Sequence, residues 1–384
     1  MSKEARESSL KQIYLDYNAS TPIAPEVLHE MQPFLTDCFG NPSSSHWAAD
    51  QLHDAIEEAR AKVAALIGSA PDEIVFTSGA SEANNLALKG IYYALRRKGS
   101  HIITTGIEHP AILGPARFLE SIGAEVTYVQ VDEYGVVSPE DIEKAITDRT
   151  ILISVMHANN ETGSIQPIAE IAHIACRHGV YLHSDAAQTI GKIPVRVDEL
   201  GVDMLSLAGH KFYAPKGIGA LYIRKGTSIE PLIHGAGHES GMRAGTENVP
   251  YIVGLGKAAE LVREGHEHNR IDELGKLFWS QMKAHFQDAV SLNGHPVNRL
   301  PNTFNINFHG YSGQEILGRM PEIAASTGSA CHSGQTTLSP VLAAMKVPVE
   351  RGGGAVRISL GRYTDEHMVR AAVSMFKERV PIYG

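Results

Sequence analysis

From about residue 46 to about residue 225, short apolar runs rich in β-branched residues alternate with longer stretches whose apolar residues recur at helical spacing. This is the pattern of βαβ units and a mainly parallel sheet. The runs predict strands at 73–76, 101–104, 125–131, 150–155, 180–184, 204–207 and 219–223, with helices at 46–67, 80–95, 110–122, 139–146 and 167–178. A glycine-rich stretch, HGAGHESGMRAGTEN (234–248), interrupts the pattern and leads into one long helical segment, 249–289. Beyond it the order becomes strand (303–308), helix (314–319), small-residue loop (325–335), helix (339–345), strand (355–360) and helix (364–380). The expected fold class is therefore α/β, with a large domain over 14–260 and a smaller α+β domain over 261–384 that also takes residues 1–13. At 384 residues the chain is long enough for both.

Composition narrows the function classes. The formal charge of −9 disfavours broad binding to nucleic acid or anionic lipid. The three cysteines, Cys38, Cys176 and Cys331, form no C-x-x-C pair, and their odd number does not close a disulfide set. A reducing, cytoplasmic setting is expected. The opening MSKEARESSLKQIYLDY has no apolar core of a signal peptide, and the other apolar runs are too short to span a bilayer. Nineteen histidines raise the question of metal.

In open parallel sheets, ligands sit beyond the C-terminal ends of the strands. The run 180–184 ends in Asp185, and the run 204–207 leads through Ala208, Gly209 and His210 to Lys211. Taken singly, Asp185 reads equally well as a helix cap, and Lys211 as a solvated loop lysine. Together they suit pyridoxal phosphate, which needs a lysine to bind its aldehyde and a carboxylate for its ring nitrogen. The stretch FTSGASEANN (76–85) puts Thr-Ser-Gly-Ala-Ser at a strand-to-helix junction, where free N–H groups and the helix dipole favour a phosphate.

At this point the chain resembles the cysteine desulfurases and selenocysteine lyases, class V members of the fold type I pyridoxal phosphate enzymes, over nearly its whole length. The matching segments are YLDYNASTP (14–22), FGNPSSSH (39–46), the Thr-Ser-Gly loop, EHPA (108–111), NNETG (159–163), SDAAQ (184–188), GHKFYAPKGIG (209–219), GMRAGTEN (241–248), GSACHSG (328–334) and RISLGR (357–362). The resemblance implies that Lys211 binds the cofactor as a Schiff base, that Asp185 pairs with its ring nitrogen, and that His109 stacks on the ring and helps move protons. It implies that Gln188 bonds the phenolic oxygen and that Asn160 positions substrate and ring. Ala80, Ser81 and His210 are expected at the phosphate, with Thr246 reaching it from the partner subunit of a homodimer. Arg357 is expected to clamp the substrate carboxylate, a charge-assisted contact worth on the order of 1.5–3 kcal/mol. Cys331 is the expected nucleophile, taking sulfur from L-cysteine as a persulfide and passing it to a protein acceptor such as an iron–sulfur scaffold. Cys176, at helical spacing in IAEIAHIAC, is expected in the core, and Cys38 is expected to be structural. Position 208 is Ala where many desulfurases carry a phosphate-binding Ser.

Three other readings compete. Selenocysteine lyase differs in substrate alone, because selenium leaves more readily than sulfur. A metal-binding hydrolase would use His266 and His268, or His234 and His238, yet neither pair has the H-E-x-x-H spacing of a helical zinc site, so no metal is expected. A catalytically dead scaffold would have no need of Lys211, Asp185, His109, Arg357 and Cys331 together.

Overall fold

The computed structural model describes residues 12–265, 267–332 and 335–382; of residues 267–268, 329–332 and 335–337 it describes the backbone alone. Seven strands form the main sheet: β1 (Ile74–Thr77), β2 (His101–Thr105), β3 (Glu125–Val129), β4 (Thr150–Ser154), β5 (Tyr181–Asp185), β6 (Met204–Ala208) and β7 (Gly219–Ile223), in the order β1-β7-β6-β5-β4-β2-β3. β7 alone runs opposite in direction to the other six. Strands β2, β4 and β6 are buried along their whole length. That explains why they read as continuous apolar runs rather than alternating ones.

Helices cover both faces. The first, α1 (Pro25–Thr36), and α2 (Asp50–Ile67) pack against a later helix, α7, while α3 (Ala80–Leu95) and α4 (Pro110–Ser121) pack on each other. Helices α5 (Pro139–Ala145) and α6 (Ile168–His178) complete the α/β half, and α1 is an element the sequence pattern did not predict. The long segment expected over 249–289 is two helices, α7 (Val249–Glu264) and α8 (Glu267–Phe286). Gly265 caps α7 in an extended conformation (φ −77°, ψ 140°), which stops the helix there.

A second sheet carries β8 (Val290–Asn293), β9 (Thr303–Phe308), β10 (Ser326–Thr327) and β13 (Ala355–Ser359), in the order β10-β13-β9-β8. Its core gathers Phe278, Phe286, Phe304, Ile306, Phe308, Ile358 and Phe376 with Ile13 and Leu15 from the chain's start. Helix α8 contributes Ile271, Leu274, Phe278, Met282 and Phe286 to that cluster, whereas α7 packs into the core of the main sheet. We propose a domain division near residue 260 on this basis. The segment 325–335, expected as a loop, instead holds β10 and most of a hairpin: β11 (Ser329–His332) pairs antiparallel with β12 (Gln335–Leu338), setting Cys331 opposite Thr336.

Candidate active site

The C-terminal ends of β5 and β6 open onto a cavity of about 530 Å³. Its walls carry Ala80, Ser81, His109, Asn160, Asp185, Gln188, His210 and Lys211, eight of the residues singled out from sequence. They come from the ends or following turns of β1, β2, β4, β5 and β6, where a parallel sheet directs its loops.

Asp185 ends β5, only 6% exposed. Its Oδ2 accepts from Asn84 Nδ2 at 2.7 Å, and its Oδ1 from the Ala187 N–H at 2.9 Å. These bonds fix the carboxylate's direction. Asn84, one turn into α3, was not singled out from sequence.

Lys211 sits in the single helical turn after β6 and donates to the carbonyls of Asn18 (2.6 Å) and Ala19 (2.8 Å). Burial and then Arg357 lower its pKa to about 8, against the opposing pull of Asp185 and Asp16. The neutral amine, the form that attacks a carbonyl, therefore forms at a pH well below that of a solvated lysine. The rate at which the protein captures pyridoxal phosphate is expected to climb with pH up to about 8 and then level off. Visible absorbance after mixing checks this, and a rate still rising about tenfold per pH unit between 9 and 10 would contradict it.

His109 is the N-cap of α4, and its Nδ1 accepts the Ala111 N–H at 3.1 Å. A neutral ring so held carries its proton on Nε2. Burial and then Lys211 lower its pKa, while Asp185 opposes them. His210 is pushed down to about 4 by burial, Lys211 and Lys216, so it is a neutral polar group at pH 7.

Helix α3 begins at Ala80 with no side-chain cap, which leaves its first N–H groups facing the cavity. Gly79 before it has φ 144°, a conformation L side chains rarely adopt. Gly219 on β7 passes so close that an added Cβ would lie 2.7 Å from Gly79 Cα. Glu82 ties this loop to the glycine-rich stretch by accepting from Arg243 Nε at 2.9 Å and from the Ser78 N–H at 2.8 Å.

Two predicted residues lie off the wall, and a third is placed by its backbone alone. Arg357 is the middle residue of β13 and is 8% exposed behind Asn160. Its Nη1 donates to Asn160 O (3.1 Å), and its Nη2 to Asp16 Oδ1 (2.7 Å) and Ser326 Oγ (3.0 Å). Its Nε is buried without a partner. Thr246 is exposed and does not line this cavity. Cys331 is placed by its backbone on β11, and its side chain lies outside what the structure describes.

Cys176 contradicts its expected place in the core. It is exposed in the last turn of α6, where Arg177, His178 and Gly179 are exposed too. Cys38 is half-buried against the main core, its Sγ 3.9 Å from Gln51 Oε1.

Among the described residues no three His, Cys, Asp or Glu side chains gather as a metal site, and no helix is long and apolar enough to cross a membrane. His266 and the side chain of His268 lie outside the described residues. Part of the histidine count is structural: His183 joins Ser154 and Ser206 across three strands, and burial lowers its pKa to about 3.

The donor set suits pyridoxal phosphate: a fixed carboxylate, a lysine of lowered pKa and an open helix N-terminus share one cavity large enough for the ring. Comparison with known proteins agrees. The pattern of the family described as Aminotransferase class-V matches residues 13–371. The "Cysteine desulfurase IscS" of Dictyoglomus turgidum is 52% identical over 358 residues, 92% of this chain and 91% of that protein. Among solved structures, a "NIFS-LIKE PROTEIN" superposes with TM-score 0.89 at 38% identity, covering 96% of this chain and 98% of that one. The structure titled "SspA in complex with cysteine" superposes with TM-score 0.82 at 40% identity, covering 92% and 100% respectively.

Proposed function

The chain belongs to the aminotransferase class-V family, and from that premise we propose that it is a pyridoxal phosphate-dependent cysteine desulfurase, converting L-cysteine to L-alanine with the sulfur passed to Cys331. The observation that carries this reading is the convergence of Lys211, Asp185, His109, Gln188 and the α3 N-terminus on one cavity. Relatives named cysteine desulfurase support the choice of substrate.

Asp185 would hold the cofactor's ring nitrogen, Gln188 its ring oxygen, and Ala80, Ser81 and His210 its phosphate. Bound there, the cofactor supplies an electron sink for the bonds broken at the substrate's Cα and Cβ. Lys211 takes the proton from Cα, and its lowered pKa keeps the neutral amine accessible near physiological pH. His109, with its proton on Nε2, offers an N–H to an acceptor in the cavity it lines. Arg357, held by Asp16, Ser326 and the Asn160 carbonyl just behind the cavity wall, is the cation assigned to the substrate carboxylate. The Cys331 thiolate then attacks the substrate sulfur: an S–S bond forms, the Cβ–S bond breaks with its electron pair left on carbon, and a proton completes the methyl group of alanine. Cysteine and a thiol thus become alanine and a persulfide.

We also infer a homodimer in which Thr246 reaches the phosphate across the subunit interface, and a protein acceptor for the persulfide sulfur. Ala208 lines the cavity without a hydroxyl to offer the phosphate.

The test compares the loaded enzyme on L-cysteine and L-selenocysteine. Alanine and sulfide released from L-cysteine well above background are expected. A rate confined to L-selenocysteine would replace the desulfurase reading with that of a selenocysteine lyase.

A further inference from the structure

Lys192 lies beneath the cavity floor, 7% exposed, four residues on from Gln188, and the mechanism above makes no use of it. Its Nζ donates to Gln188 Oε1 at 2.5 Å and to Asn18 Oδ1 at 2.7 Å. Charged or neutral, a lysine amine has the N–H bonds that two such oxygens require. Burial, with Lys211 and Arg357 nearby, pushes its pKa well below the ordinary lysine range.

A primary amide has one oxygen and one nitrogen end of nearly equal shape, so its neighbours decide which end faces where. Lys192 claims the oxygen of Gln188. The nitrogen, Nε2, is then turned the other way, with one N–H on the Asn18 carbonyl at 3.0 Å and a second N–H left over. Because Gln188 lines the cavity, that second N–H is available to an acceptor bound there. The same lysine steadies Asn18, whose carbonyl also holds Lys211 Nζ.

We propose that Lys192 is a positioning residue that locks the Gln188 amide with its N–H, and not its carbonyl, directed at the cofactor's ring oxygen. This rests on the reading that Gln188 meets that oxygen. An N–H there favours the ionised oxygen, whereas a flipped amide would set carbonyl against oxygen and disfavour it. The bound cofactor's electronic state is thus tuned from a residue that does not touch it.

The test follows the pH at which the visible band of the bound cofactor changes, in wild type, Lys192→Met, Gln188→Ala and the double variant. Lys192→Met is expected to raise the midpoint by about one pH unit, in the same direction as Gln188→Ala. The double variant is expected to match Gln188→Ala alone. A lowered melting temperature with an unmoved midpoint would reduce Lys192 to packing and overturn the inference, as would a Lys192→Met shift that adds in full on top of Gln188→Ala. If Lys192→Met yields no folded holoenzyme, Lys192→Gln, which keeps one amide donor, is expected to show a smaller upward shift, and no shift there is equally contradictory. A midpoint that ignores Gln188→Ala would overturn the site reading itself, and the inference with it.

Discussion

Lys211→Ala is expected to lose alanine production from L-cysteine by at least ~10²–10⁴-fold, the usual worth of a positioned acid–base group. The true loss should be larger, because the same amine anchors the cofactor and takes the Cα proton. The fold should survive: the side chain's bonds run to the carbonyls of Asn18 and Ala19 in a partly open cavity, and no core contact depends on them. Circular dichroism and a thermal melt check the fold, and alanine release checks the activity. Wild-type turnover in this variant would refute the assignment of Lys211.

Cys331→Ser is expected to separate binding from sulfur transfer. The variant should capture pyridoxal phosphate, and L-cysteine should still perturb the bound cofactor's absorbance, since Arg357, Asn160 and Lys211 are untouched. Alanine formation should fall by at least about a hundredfold, because a thiol of pKa near 8.5 is a few per cent ionised at neutral pH, whereas a serine hydroxyl offers no comparable anion. A Ser variant that still released alanine at the wild-type rate would move the nucleophile elsewhere, and Cys38 and Cys176 would become the candidates.

The seven-stranded sheet was legible because buried parallel strands announce themselves as short apolar runs, and because the chemistry sits at their ends, as at Asp185, the last residue of β5, and Lys211, in the turn that follows β6. Local pattern sufficed for such positions. It failed where the deciding partner is distant in the chain. Asn18 receives Lys192 from 174 residues away and Lys211 from 193, and Asn84 meets Asp185 across 101. No spacing rule reaches that far. Cys176 misled because Ile168, Ile171, Ala172 and Ala175 form a buried stripe that the rule extends by one residue too many; the last turn of α6 has already opened to solvent. The helix over 249–289 misled because Gly265 reads as a tolerated interior glycine, whereas its extended backbone ends α7. The antiparallel pairing of β11 with β12 was hidden by small residues that carry little apolar signal.

Arg357 shows a further limit. The family resemblance implied a carboxylate clamp, and the structure makes it a half-satisfied buried pair: Asp16 and two oxygens hold the terminal nitrogens while Nε is left without a partner. A buried guanidinium held in this way has its geometry set before substrate arrives, which reduces the ordering cost of binding a carboxylate.

The central claim is that sulfur passes from L-cysteine to Cys331 on this chain. It is tested most directly by a single turnover: loaded enzyme with one equivalent of L-cysteine, no thiol and no acceptor, followed by digestion and mass spectrometry alongside an alanine assay. One alanine per active site and a mass gain of one sulfur atom on the peptide bearing Cys331 are expected, both absent from Cys331→Ser. Alanine without that added sulfur, or added sulfur on the Cys38 or Cys176 peptide instead, would contradict it.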